Sequence, residues 1–366
     1  MKKICIITNI PAPYRVDLFY SLQQSYKEYE FSIIYSSANE DNRNWDSGVE
    51  KLSNVHYLES KTIKIKGKID DKYIHIPRKV NDVLEDINPD IVIASEYNIT
   101  CIKACIWCKR NKKKYISWSD GTLFTERNIN IIQKLSRKYI CKNSNAFIAS
   151  STNTKKAQIH YGAKEDNVFV SLLTIDVDKY RYERKEFVGN RMLFVGRLVK
   201  LKGLDLLLEA LAKVNLDYRF TIVGDGDVKE DLIQQAKRLK IQDKVNFVGE
   251  KNGDEVVEYY KNSDIFILPT RQDCYGLVLL EAACATMTVI SSKYAEGVPD
   301  IIEDNVSGII VDPYNEENMI DKINYVLKNK DNSFELAQNA YKNVDKFKFD
   351  KVILGFKKAI EYVLSE

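Results

Sequence analysis

The sequence predicts an α/β protein of two domains, each wound on a parallel sheet. Short β-branched or aromatic runs alternate with longer helical patterns along nearly the whole chain, the signature of βαβ units. At 366 residues the chain exceeds what one core usually fills, given roughly 100 to 200 residues per domain. A polar, charged segment at 176–190 interrupts the alternation, which then restarts, and it reads as a linker.

In the first half the strand-like runs are 3–9, 31–36, 90–95, 114–118, 146–151 and 168–173, and helical patterns fall near 15–27, 77–87, 100–111, 128–143 and 152–161. After the polar segment, strand-like runs recur at 192–195, 219–223, 245–248, 265–269, 288–291 and 308–311. The expected division is a first domain over 1–180, a second over 190–345, and a closing helix in 346–366. No strand follows that helix, so it is able to cross back to the first domain. Open parallel sheets bind ligands beyond the carboxyl ends of their strands, and two such sheets facing one another would enclose a deep cleft.

Composition excludes several classes. An apolar share of 45% and a charged share of 29% are those of a globular protein. No stretch reaches the ~18 apolar residues of a membrane span. The opening residues 1–9 imitate a signal peptide, but the apolar run is too short, and Pro11 and Pro13 follow it. Seven cysteines, an odd number in a chain large enough to fold without staples, point to reduced thiols and a cytoplasmic setting. Cys101, Cys105 and Cys108 share one helix face, where packing explains them better than metal.

The net charge of +3 conceals an asymmetry. Residues 1–185 hold 31 Lys and Arg against 22 Asp and Glu, and the remainder 24 against 30. Most of the excess lies in 101–160, where 13 basic residues face only Asp120 and Glu126. A solvated surface accounts for this as readily as an anionic membrane, an anionic acceptor or nucleic acid.

Two segments of the second half carry chemistry. In the first, Phe194-Val195-Gly196-Arg197 ends a strand and Lys202-Gly203 enters a helix. A forked guanidinium and a mobile ammonium at a strand's carboxyl end suit a diphosphate, although a basic turn would read the same. In the second, a buried strand runs into a polar loop with Asp273, and Gly276 opens a helix that holds Glu281. Helical side chains lean toward the N-terminus, so Glu281 is able to look back toward the side that Asp273 faces. The amides near Gly276, Leu277 and Val278 together with the helix dipole form an anion site.

These segments resemble glycosyltransferase family 4, the retaining nucleotide-sugar enzymes of GT-B fold. So do the intervening Ile222-Val223-Gly224-Asp225-Gly226, the turn Gly297-Val298-Pro299-Asp300 and the run Ser307-Gly308-Ile309-Ile310-Val311-Asp312-Pro313. The motifs cover 190–315 in order. The implied fold is two Rossmann-like domains with facing sheets. The implied activity is transfer of a sugar from a UDP- or GDP-linked donor to an acceptor, in a manner resembling enzymes of bacterial surface polysaccharides that act on lipid-linked saccharides. No metal or other cofactor is implied.

By position, the resemblance implies that Arg197 and Lys202 hold the donor diphosphate, that Glu281 binds the ribose hydroxyls, and that Asp273 contacts the transferred sugar. Gly196, Asp225, Glu250, Lys251, Tyr275, Gly276 and Leu277 are the further donor-side positions. The family usually has Glu where this chain has Asp273, one methylene shorter, which leaves the donor sugar open. On the acceptor side the candidates are Tyr14 and Arg15, in the opening Asn9-Ile10-Pro11-Ala12-Pro13-Tyr14-Arg15, and Asp120, after a strand where relatives often carry a histidine. Helix packing explains Arg15, and a turn explains Asp120, about as well.

The sequence contains no residue that must be a covalent nucleophile, which favours a front-face route in which the leaving phosphate accepts the acceptor's proton. Three rivals stand beside this reading. A dinucleotide oxidoreductase is disfavoured because Lys229 occupies the third glycine's place after Gly224-x-Gly226. A non-hydrolysing nucleotide-sugar epimerase shares the two-lobed fold. A basic nucleic-acid-binding module would use Trp107, Tyr115 and Trp118 as stacking groups.

Overall fold

The computed structural model describes residues 1–38, 47–65 and 72–365. The chain divides into two units, one made of the described residues up to Thr174 together with those from Phe347 onward, the other of Ile175–Lys346.

The first unit runs β1 (Lys2–Thr8), α1 (Pro13–Ser25), β2 (Tyr29–Tyr35), β3 (Val55–Tyr57), β4 (Ser60–Ile65), β5 (Lys72–Pro77), α2 (Val80–Ile87), β6 (Ile91–Ser95), α3 (Ile99–Arg110), β7 (Lys114–Ser119), α4 (Ile131–Asn143), β8 (Ala146–Ala149), α5 (Thr152–His160) and β9 (Val168–Val170). Seven strands form one sheet in the order β3-β2-β1-β6-β7-β8-β9, with every pairing parallel. Both faces of the sheet are covered, so its central strands read as unbroken apolar runs rather than alternating ones; all five residues of β6 are buried. Strands β4 and β5 pair antiparallel as a separate hairpin.

The second unit runs α6 (Val177–Tyr180), β10 (Arg191–Val195), α7 (Leu204–Ala212), β11 (Arg219–Val223), α8 (Lys229–Arg238), β12 (Val245–Gly249), α9 (Gly253–Lys261), β13 (Ile265–Leu268), α10 (Leu277–Cys284), β14 (Thr288–Ser292), α11 (Val298–Ile301), β15 (Ile309–Val311), α12 (Glu316–Lys328) and α13 (Lys330–Lys342). Its six-stranded parallel sheet has the order β12-β11-β10-β13-β14-β15.

Segment 176–190, which reads as a linker, is folded into this unit. Arg184 is buried and lies 3.6 Å from the fully buried carboxylate of Asp264, which also takes a bidentate pair from Arg191 at 2.6 and 2.8 Å. Polar composition is here an internal ion-pair network, and such a network is invisible until residues some 75 positions apart meet.

In each sheet the first strand lies between the second strand of its unit and a later one, β1 between β2 and β6, β10 between β11 and β13. The connections on either side of that strand therefore leave in opposite directions. This opens a crevice at the carboxyl ends of β1 and β6 in one unit and of β10 and β13 in the other.

The last helix, α14 (Phe349–Ser365), closes the first unit. Phe356, Ile360 and Val363 join a core with Ile4, Phe19 and Trp118, and the Phe356 ring meets Trp118 edge-on at 5.1 Å between centroids. The Ser171 hydroxyl donates to the Val352 carbonyl at 2.7 Å, and the backbone of Gly355 passes too close to Val170 for a Cβ. Truncating the fully buried Phe356 to Ala should destabilise the first unit by about 3–5 kcal/mol. Chemical denaturation followed by Trp fluorescence measures this, and an unchanged midpoint would count against α14 as part of that core.

Candidate functional site

In the second unit, the loops after β10, β11, β12 and β13 are bound to one another through their backbones. The Gly196 N–H donates to the Val223 carbonyl at 3.0 Å, Leu198 to Asp225 at 2.8 Å, Gly224 to Gly249 at 2.8 Å, and Arg271 to Leu201 at 2.8 Å. Two glycines make this possible. A Cβ on Gly224, at φ 140°, would lie 2.0 Å from the Gly196 carbonyl oxygen, and one on Gly203, at φ 73°, would lie 2.1 Å from that of Pro269. On the far side, Asp273 and Gly297 bond to the backbone of Tyr294 and Tyr275 at 3.0 and 3.1 Å.

This frame brings Lys202, on the turn Lys200–Lys202, to Asp273, with Nζ to Oδ2 at 2.5 Å. Burial pushes the Asp273 carboxyl up, but Lys202 and the amides of Tyr275 and Gly276 outweigh it and hold the group below the usual carboxylate range. The Tyr275 N–H donates to Oδ1 at 3.2 Å. Part of the amide-rich loop expected to greet an anion is thus occupied by the chain's own carboxylate. Helix α10 begins at Gly276 without a side-chain cap, which leaves its first amides to a ligand or to water.

Arg197 follows Gly196 on the same edge and is half-buried. Asp225 and Lys229 form an exposed i,i+4 pair at 2.6 Å, which draws Asp225 below its ordinary value. Glu250 is exposed, and Lys251 stands 4.0 Å from Glu255, whose side chain closes the capping box of α9 on Asn252.

Glu281 lies within α10 and accepts a 2.6 Å hydrogen bond from the Tyr260 hydroxyl. Burial raises its pKa to about 7, against the pull of Tyr260 and Lys179. Neither partner was singled out in the sequence: Lys179 belongs to the supposed linker, and Tyr260 stands on the helix before β13.

In the first unit, a polar cluster occupies the carboxyl ends of β1, β6 and β7. The Arg15 guanidinium donates to Thr8 Oγ1 at 2.8 Å, Ser95 Oγ at 2.6 Å and Asp120 Oδ2 at 2.5 Å, and stacks 4.4 Å over the Trp118 ring. Burial works against its charge, but Asp120, Tyr14 and Glu96 outweigh it and hold the pKa above the ordinary guanidinium value. Tyr14 lies beside it, its ring centroid 6.0 Å from the guanidinium carbon. Asp120 also accepts from the Ser150 hydroxyl at 2.5 Å. Buried Arg15 is therefore an internal cation that fixes the partly buried Asp120, and the two form one unit rather than two separate contacts.

Glu96 completes this cluster and escaped the sequence reading. It is a non-glycine residue at φ 77°, a strained conformation costing roughly 1–3 kcal/mol. Its carboxylate accepts from the Asp120 N–H at 3.0 Å and the Ser119 hydroxyl at 3.3 Å. Burial, then the Asp120 charge, push its pKa well up. The available signal was an acid directly after the buried run 90–95.

The aromatics on which a nucleic-acid reading would depend, Trp107, Tyr115 and Trp118, are all buried, so they offer no face for stacking a base. Cys101, Cys105 and Cys108 are likewise packed in the core behind β6.

Residues 182–344, nearly all of the second unit, match the family described as Glycosyl transferases group 1. The chain is a glycosyltransferase. It is 24% identical over 297 residues to an uncharacterized glycosyltransferase of Haemophilus influenzae, covering 80% of this chain and 82% of that one. It is 26% identical over 220 residues to the N-acetylgalactosamine-N,N'-diacetylbacillosaminyl-diphospho-undecaprenol 4-alpha-N-acetylgalactosaminyltransferase of Campylobacter jejuni, covering 58% and 55% of the two chains. Among solved structures, Alr3699/HepE of Anabaena in complex with UDP superposes with a TM-score of 0.80 at 16% identity, over 99% of this chain and all of that one. The fold of the transferase is GT-B, as the sequence predicts.

One titration follows for the transferase. The folded-state pKa of Glu281, about 7, lies above the ordinary 4.5, so the folded form favours the protonated acid. The stabilisation is full below about pH 4.5 and is lost as the pH rises toward 7. Glu281→Gln lacks this term. Thermal unfolding should therefore show the melting temperature of wild type falling relative to Glu281→Gln between pH 4.5 and 7, and parallel curves would refute the shift.

Proposed function

We propose that the chain transfers a sugar from a UDP- or GDP-linked donor to a saccharide acceptor, with retention of anomeric configuration, in the synthesis of a cell-surface polysaccharide. The observation that carries this reading is the Lys202–Asp273 pair, held between the loop of Arg197 and the uncapped start of α10. The pair is a cation and an anion kept together until a ligand carrying both kinds of complement arrives. A diphosphate takes Lys202, and the hydroxyls of the transferred sugar take Asp273.

The difficult step is departure of the nucleoside diphosphate, during which negative charge grows on the phosphate. Arg197, Lys202 and the amides of Gly276 and Leu277 stabilise that charge in advance, without a metal ion. Losing one such group commonly costs ~3–4 kcal/mol, or about 100- to 1000-fold in rate. Glu281, oriented by Tyr260, receives the ribose hydroxyls, and Gly196, Asp225, Glu250, Lys251 and Tyr275 border the same sheet edge. The phosphate that leaves also accepts the acceptor's proton on the same face, consistent with a set of groups that needs no covalent nucleophile.

On the acceptor side, Tyr14, Arg15 and Asp120 form the cluster in the crevice of the first unit's sheet. The acceptor of the Campylobacter relative is carried on diphospho-undecaprenol, which supports a lipid-linked acceptor here and a peripheral position on the cytoplasmic face of a membrane. Among the described residues no helix is long and apolar enough to cross one.

A thermal-shift screen of UDP- and GDP-sugars tests the donor site. One donor should raise the melting temperature of wild type and leave Arg197→Ala unmoved; equal shifts in both would remove Arg197 from the site. With that donor and its acceptor, proton NMR of the first product should show the anomeric configuration of the donor, and inversion would overturn the front-face route.

A further inference from the structure

Helix α4 exposes an aliphatic surface that folding does not use. Ile131, Ile132 and Leu135 are 68%, 71% and 58% exposed, within little more than one turn. Below them the helix is firmly held. The Asn130 side chain caps the Gln133 N–H at 2.9 Å while the Gln133 side chain returns to the Asn130 N–H at 3.0 Å. Arg137 forms a bidentate pair with buried Glu126 at 2.5 and 2.8 Å, and Ile140 and Cys141 enter the core. The aliphatic residues are thus presented on a rigid scaffold rather than on a fraying end.

Lys134, Lys138 and Lys142, all exposed, run along one side of the same outward face, following from 100° per residue. Between Glu96 and Glu165 the chain has two carboxylates, Asp120 and Glu126. Both are turned inward, one onto Arg15 and the other onto Arg137. Every outward ionic group of this stretch is therefore positive. A hollow of about 340 Å³ beside the helix is lined by the aliphatic Leu123, Ile131 and Leu135, the basic Arg127, Lys134 and Lys138, and on its inner side Glu126, whose carboxylate is paired with Arg137.

We infer that the outward face of α4 docks on an anionic lipid bilayer, with Ile131, Ile132 and Leu135 entering the acyl boundary and the lysines meeting the headgroups. A basic helix with an apolar face lies in such an interface, whereas single-stranded nucleic acid needs exposed aromatic faces for its bases. A second copy of the same face would bring like charges together. This inference rests on the proposed function only in that a lipid-borne acceptor gives the docking a purpose.

Co-sedimentation of the whole protein with vesicles tests it, using phosphatidylcholine alone or with about one-third phosphatidylglycerol. Wild type should bind the anionic vesicles, and I131S/I132S/L135S should bind at least about tenfold more weakly. K134Q/K138Q should weaken binding about fivefold per lysine and flatten its salt dependence. Both variants alter exposed positions and should keep the wild-type melting temperature and the donor-induced thermal shift; single Ile132→Ser serves if the triple variant does not. Unchanged vesicle binding by the aliphatic variant, or wild-type preference for an oligonucleotide over vesicles, would overturn the inference. Because the donor screen contains no lipid, loss of the thermal shift speaks against the donor site alone.

Discussion

The loop from Gly196 to Gly203 is gripped on both flanks by neighbouring backbone, and Arg197 and Lys202 take their positions from that grip. On one flank Gly224 meets the Gly196 carbonyl, and on the other Gly203 meets that of Pro269. Side chains do not set the spacing; peptide groups do, and they have almost no freedom to yield. Lys202 and Asp273 come from segments about 70 residues apart, and they meet at hydrogen-bonding distance because the strands that carry them, β10 and β13, are neighbours in the sheet.

The two units solve a similar problem differently. In the second, Lys202 is paired with Asp273, whose carboxylate is held in addition by backbone amides. In the first, Arg15 and Asp120 are sunk among hydroxyls, with Trp118 beneath the guanidinium, and separating them would leave a buried charge at a cost of about 3–5 kcal/mol. The strain at Glu96 belongs to the fixed cluster, because its carboxylate braces the amide of Asp120.

Much of this was legible in the sequence, and the limits are physical. Strands such as β6 and β13 are continuous apolar runs that only a doubly covered parallel sheet requires, so they declare themselves. The hairpin β4–β5 does not, since Ser60-Lys61-Thr62-Ile63-Lys64 holds a single aliphatic residue and reads as polar. Lys202 and Asp273 were found individually through their loops, but their pairing depends on strand order. Glu96 and the Tyr260–Glu281 contact were out of reach for different reasons: one is defined by a left-handed backbone angle, the other by helices from separate βα units. The segment 176–190 misled because buried ion pairs and solvated tethers have the same composition.

The placement of α14 has a consequence for biogenesis. Synthesis proceeds from the amino end, yet Phe356, Ile360 and Val363 are wanted beneath strands made some three hundred residues earlier. While the ribosome is still at work, the first sheet is left with an apolar trough open to water, and the whole of the second unit must emerge before it is filled. The amino-terminal half by itself would leave that apolar surface uncovered, and expressing it alone calls for the α14 segment as a splice or in trans.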